Sequence, residues 1–212
     1  MLLRRRMLEG VVAVAAGLGL SRLAAAAAAL SATPAQTAGP FYPLELPADS
    51  DNDLIHITGR EGTAKGVVTY ISGRILDRDG RPISGARVEI WQCDANGRYH
   101  YVRDARAGPP ADVNFQGYGQ TLSDATGAYH FRTIRPVAYP GRTPHIHFTV
   151  SAPGVPQLTT QMYVAGEPQN EHDFVLMSVR DPMARARLIV PLRPAPEPEP
   201  GALAGTFDIV IG

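Results

Sequence analysis

What most limits the folds open to this 212-residue chain is the recurrence of short apolar or alternating runs separated by turn chemistry. The runs fall at 67–76, 86–92, 119–122, 128–134, 145–151, 158–164, 188–192 and 206–211. Between them stand Asp79-Gly80-Arg81-Pro82, Ser123-Asp124-Ala125-Thr126-Gly127 and Pro153-Gly154-Val155-Pro156. Runs of this length suit strands, and their Asp, Gly and Pro separators supply the backbone angles that tight turns demand. A content of 21 glycines and 19 prolines fits the same loop-rich pattern. The chain therefore reads as all-β, an antiparallel β-sandwich with long connecting loops and little helix beyond a turn or two near 181–187. The stretch 194–200, with proline at every second position, is expected to be extended and poorly ordered. No internal repeat is evident.

The first 32 residues obey different rules. Arg4-Arg5-Arg6-Met7-Leu8 precedes an apolar run at 11–20, and an alanine tract at 24–29 offers small-residue cleavage sites. This resembles a twin-arginine (Tat) export signal, so residues 1–32 are set apart from the fold and the protein is expected in the periplasm or outside the cell. The apolar run is too short to span a bilayer, which argues against a stable membrane anchor. Residues 33–212 are then one domain with 16 basic and 19 acidic residues, a net charge of −3. That balance gives no basic face for nucleic acid. A lone Cys93 excludes an intrachain disulfide and is expected as a buried free thiol.

Chemistry concentrates in Tyr139-Pro140-Gly141-Arg142-Thr143-Pro144-His145-Ile146-His147-Phe148. On a strand, alternate side chains share a face at a rise of roughly 6.6 Å, so His145 and His147 can converge on one ion while Ile146 packs inward. Ile146, Phe148 and Val150 alternate with the histidines and Thr149, as a strand with one apolar and one polar face requires. The plain alternative is a pair of hydrogen-bonded histidines on a polar face. A second segment, 91–99, ends a strand in an Asp/Asn/Gly turn and then presents Tyr99, which by itself reads as a packing residue with a bonded hydroxyl. His56, His100, His130 and His172 read as surface or capping residues; His130 faces away from Tyr129 and Phe131, and His100 away from Tyr99. The polar loop 103–116 is expected to border a site mouth.

Four segments together resemble the intradiol ring-cleavage dioxygenases, nearest the protocatechuate 3,4-dioxygenase type: 33–42 (Thr33-Pro34 to Phe41-Tyr42), 91–99, 127–136, and 142–147. No amphipathic N-terminal helices of the kind the catechol 1,2-dioxygenase branch uses to dimerise are evident, which favours the protocatechuate-like branch. The resemblance implies a non-haem Fe(III) held by Tyr99, Tyr139, His145 and His147. It also implies catalytic roles for Tyr139, which a chelating catechol displaces, for Arg142, which stabilises charge developing on the substrate ring, and for Gln161 near the metal. Two anionic oxygens with two imidazoles suit ferric iron better than zinc. The implied reaction inserts both atoms of O2, opening the ring between the hydroxylated carbons to a cis,cis-muconate-type diacid. The implied partners are a small aromatic diol and O2, and the family tends to form homo-oligomers. The family usually carries a longer loop between its second tyrosine and first histidine; here only residues 140–144 intervene, so the pocket wall should differ. A different class stays open beside this one: 72–88 also resembles transthyretin-like and carboxypeptidase-associated sandwich modules, which bind or support without catalysis.

Overall fold

The computed structural model describes residues 29–101, 108–197 and 199–212; the leader expected at 1–32 lies almost wholly outside them. Ten strands and two short helices follow in the order β1 (Val68–Asp77), β2 (Arg87–Trp91), β3 (Tyr118–Leu122), β4 (Ala128–Ile134), β5 (His145–Ser151), β6 (Leu158–Val164), α1 (Phe174–Met177), α2 (Pro182–Ala186), β7 (Ile189–Val190), β8 (Arg193–Pro194), β9 (Leu203–Thr206) and β10 (Ile209–Ile211). They form two five-stranded sheets, one ordered β3-β2-β5-β6-β7 and the other built around β1. The β-sandwich expected from the alternating runs is present, but its sheets are mixed. β6 pairs with β7, and β1 with both β9 and β10, in parallel.

That β1 has two separate parallel partners traces to one local event. The run at 206–211 does not form a single strand: it breaks at Phe207-Asp208, so that β9 pairs with Thr69 to Ser72 and β10 with Ile75 to Asp77. Gly73 makes the break possible. The Phe207 amide donates to Ser72 O at 2.8 Å, and the Asp208 carboxylate accepts from the Arg74 amide at 2.8 Å. A Cβ on residue 73 would stand 2.0 Å from Phe207 O, so only glycine admits that approach.

Between the sheets, Ile71 and Ile75 of β1 and Phe131 of β4 meet Val88 and Ile90 of β2, Ile146, Phe148 and Val150 of β5 and Met162 of β6. Burying each of these large side chains contributes roughly 1.5–3 kcal/mol, which makes this interface the main source of stability. The start of the proline-rich stretch after β7 is paired. Arg193–Pro194 pairs with Ala204 and Leu203 at the sheet edge, where the missing proline N–H costs no ladder bond. Glu199 then ties the following turn to Arg132 at 2.7 Å.

The outer face of the β2-β5-β6 sheet differs most from expectation, because it is not solvent-facing. Residues 33–42 lie along it: the Gln36 amide donates to Thr159 O at 2.8 Å, Thr160 Oγ1 to Pro34 O at 2.8 Å, and Tyr42 Oη to Glu89 Oε1 at 3.0 Å. Every residue of β5 except Ser151 is therefore buried, including both histidines. The polar face of the strand became the floor of an interior site.

Candidate metal centre

Three pieces of backbone bring the site together. β5 places His145 and His147 on the covered face with ring centroids 4.9 Å apart, while Ile146 and Phe148 point into the core. Tyr139-Pro140-Gly141-Arg142 is a tight turn closed by the Arg142 amide donating to Tyr139 O at 2.9 Å; Pro140 fixes one φ and Gly141 takes the positive φ of 82° that such a turn needs. The short connection therefore folds back, and Tyr139 Oη comes within 3.4 Å of His145 Nε2. Tyr99 follows a turn organised by the Asp94 carboxylate, which accepts from the amides of Asn96 at 2.8 Å, Arg98 at 2.9 Å and Asp112 at 2.6 Å. The Tyr99 ring lies 5.9 Å from Tyr139 and 6.3 Å from His147. All four residues that the sequence marked as ligands thus converge.

Aromatic walls surround them. Trp91 stacks on His147 at 4.8 Å and 8° between planes, and Phe41 stacks on Tyr99 at 4.4 Å and 9°. His145 Nδ1 lies 2.6 Å from Thr143 O; a neutral imidazole donates here, which leaves the Nε2 lone pair facing the site. His147 has no such restraint, for neither ring nitrogen has a hydrogen-bond partner among the described residues, although the residue is only 2 % exposed. Burial, with the neighbouring Arg142 charge, pulls His145 down to about 4. Burial, with the charges of His145 and Arg142, pulls His147 well below the usual imidazole range. Both rings are therefore neutral at pH 7. Burial and the adjacent Tyr139 push the Tyr99 phenol well above its ordinary value. A phenol in that setting ionises only against a strongly charged cation.

This donor set fits a ferric ion. Orphaned neutral imidazole nitrogens inside a protein cost free energy unless something accepts their lone pairs. Among the described residues no three His, Cys, Asp or Glu side chains come together as a metal-ligating group, so an ion here would have to draw on the tyrosines. Phenolates with imidazoles are a hard, anionic set.

Arg142 and Gln161 reach the same place. The Arg142 guanidinium donates from Nη2 to Gln161 Oε1 at 2.6 Å, and Gln161 Nε2 donates to Thr37 O at 2.9 Å. Arg142 and Tyr139 also line an open cleft of about 460 Å³, together with Gln169, His172 and Asp173. The other histidines stay outside the cluster: His56, His130 and His172 are exposed, and His100 lies 3.3 Å from Asp94 Oδ2. Cys93 is buried and forms no disulfide, as its solitude in the sequence requires. Of the loop expected to border the mouth, 103–107 fall outside the described residues, and the remainder docks on the Tyr99 turn through Pro110 and Asp112. Sequence reasoning missed Asp173. Its signal was an aspartate directly before the apolar run Phe174-Val175-Leu176-Met177, the pattern of a helix N-cap.

The dioxygenase family profile matches residues 37–212. The chain belongs to the intradiol ring-cleavage dioxygenases. It is 37% identical over 180 residues to a protocatechuate 3,4-dioxygenase beta chain from Burkholderia cepacia, covering 81% of this chain and 76% of that one. It is 31% identical over 174 residues to a hydroxyquinol 1,2-dioxygenase from Corynebacterium glutamicum, covering 73% of this chain but 54% of that protein. In three dimensions it resembles the dioxygenase domain of a dioxygenase and carbohydrate-binding protein fusion from Streptomyces sp. SirexAA-E, with 33% identity, a TM-score of 0.65, and coverage of 85% and 97%. Family membership sets this intradiol dioxygenase apart from the non-catalytic sandwich modules that its β1–β2 segment also resembles. Relatives of differing substrate match it, so similarity alone selects no particular diol.

Proposed function

We propose that this intradiol dioxygenase is an exported, iron-dependent enzyme that opens a catechol-type ring, protocatechuate or a related diol, between its two hydroxylated carbons. Both atoms of O2 end in a cis,cis-muconate-type diacid. The observation that carries the proposal is the convergence of Tyr99, Tyr139, His145 and His147, with two unpartnered buried nitrogens on His147. Non-haem Fe(III), when bound by these four side chains, supplies the Lewis acidity that activates a chelating diol toward O2.

The chain's own residues account for the rest. His145 and His147 enter as neutral donors because burial keeps them unprotonated. Tyr99, fully enclosed and stacked by Phe41, is the phenolate that stays in place. Tyr139 sits half-buried on a turn at the cleft rim; as a phenolate held by the ion it would be the base nearest the cleft, able to take a proton from a substrate hydroxyl. Arg142, fixed by hydrogen bonds and lining the cleft, opposes the negative charge that grows on the ring. The Trp91 and Phe41 stacks exclude water from the inner side. Export rests on the twin-arginine sequence and apolar run of the leader. Among the described residues no helix is long and apolar enough to cross a membrane.

The test is oxygen uptake by the purified protein over a panel of protocatechuate, catechol and hydroxyquinol, with mass spectrometry of the product made under 18O2. Incorporation of two labelled atoms into a ring-opened diacid is expected. Turnover of none of the three by iron-loaded protein would contradict the reading.

A further inference from the structure

The side chain of Asp173 is fully enclosed and bonded on both oxygens to parts of the site. Its Oδ1 accepts from the amides of Val175 at 3.0 Å and Leu176 at 2.9 Å, capping α1. Its Oδ2 accepts from Arg142 Nε at 2.8 Å and from the Thr143 amide at 3.0 Å. One oxygen thus belongs to the helix and the other to the strand approach that carries the site.

These bonds fix more than one contact. With Nε held by Asp173 and Nη2 held by Gln161, the plane of the Arg142 guanidinium is set by two bonds on one edge. The guanidinium so held lines the cleft, with the Tyr163 phenol beside it. The Phe174 ring, 5.6 Å from the guanidinium carbon, packs against the same group. Burial disfavours the Arg142 charge, but the hydrogen bond and charge of Asp173, with the neighbouring Tyr139 and Tyr163, together more than offset it.

We propose that Asp173 is a positioning residue for the reaction, aiming Arg142 at the charge that develops on the substrate ring; this rests on the function proposed above. The chemistry at 173 requires a carboxylate for this task. An asparagine could still cap α1 through Oδ1, but its Nδ2 would then confront two donors, Arg142 Nε–H and the Thr143 amide. Asp173→Asn therefore separates the cap from the aiming, which few substitutions could do. Misplacing a catalytic group by about 1 Å can cost on the order of 10²-fold in rate, so a large effect on turnover needs only a small rotation of the guanidinium.

The experiment compares iron-loaded wild type, Asp173→Asn, Arg142→Ala and the double variant on a diol that the wild type cleaves. Asp173→Asn is expected to keep its iron and its visible absorption, with kcat lowered about 10–100-fold and KM moved far less. The double variant is expected to be no slower than Arg142→Ala alone, because both changes remove one aimed charge. In 15N-edited spectra the Arg142 Nε–H should be slow to exchange in the wild type and fast in Asp173→Asn. Arg142→Lys, which keeps the charge without the Nε–H, should lose a similar factor in kcat and serves if Asp173→Asn does not fold. A wild-type kcat in Asp173→Asn or Arg142→Lys, losses that multiply in the double variant, or loss of iron from Asp173→Asn would overturn the proposal. A wild type that turns over no diol would instead overturn the function on which it rests.

Discussion

Replacing His147 by phenylalanine should make the metal-free protein more stable while abolishing its iron. The histidine ring is enclosed and its two nitrogens have no partner among the described residues. An unsatisfied buried polar group costs roughly 1–3 kcal/mol, whereas an apolar group of similar shape avoids the cost. Phenylalanine preserves the parallel stack on Trp91, now at 4.8 Å. A gain of roughly 1–3 kcal/mol is therefore expected for the apo variant, a rise in Tm of about 2–12 °C for a domain of this size. The pH dependence should change as well. An unfolded histidine takes up a proton below about pH 6.5, but His147 is held well below that value in the fold and His145 at about 4. As pH falls through that window the unfolded state binds protons that the native state cannot, so each histidine removes stability at up to about 1.4 kcal/mol per pH unit. The apo wild type should carry a slope of up to two such histidines between about pH 5 and 6.5, and His147→Phe about half of it. Calorimetry of chelator-treated proteins at fixed concentration measures both quantities. An apo variant clearly less stable than apo wild type, with an unchanged pH slope, would refute the reasoning, for it would mean that His147 is satisfied by the protein itself.

Tyr99→Phe should fold, since the Phe41 stack survives, yet lose iron and visible colour; normal iron content by elemental analysis would remove Tyr99 from the ligand set. Arg142→Ala should retain iron while kcat drops on the order of 10²-fold, as for loss of one preorganised donor; an unchanged kcat would make the arginine structural. Gly73→Ala should lower the urea midpoint by an amount equivalent to roughly 3 kcal/mol, the upper end for overpacking, because its Cβ meets Phe207 O at 2.0 Å; an unmoved midpoint would mean that the β9–β10 break tolerates a side chain.

Much of this architecture can be read from residues alone, because alternation marks a strand whatever it pairs with. The spans of β4, β5 and β6 coincide with their alternating runs, and His145 and His147 share a face for that reason alone. Pairing direction is different, since a parallel and an antiparallel partner impose the same period of two. The β9–β10 break depended on Gly73 being apposed to Phe207, 134 residues away, a relation that no local window contains. Burial of the histidine face was hidden for the same reason: its cover comes from residues 33–42, remote in sequence from β5. Asp173 was the legible residue left unread, an N-cap whose second oxygen serves the site.

The central claim is a ferric ion held by two tyrosines and two histidines, and the visible spectrum with iron content of the purified protein tests it most directly, before and after anaerobic addition of protocatechuate or catechol. One iron per chain and a red-brown tyrosinate-to-iron band that shifts on addition of the diol is the expected result. A protein that stays colourless and iron-free after reconstitution would contradict it.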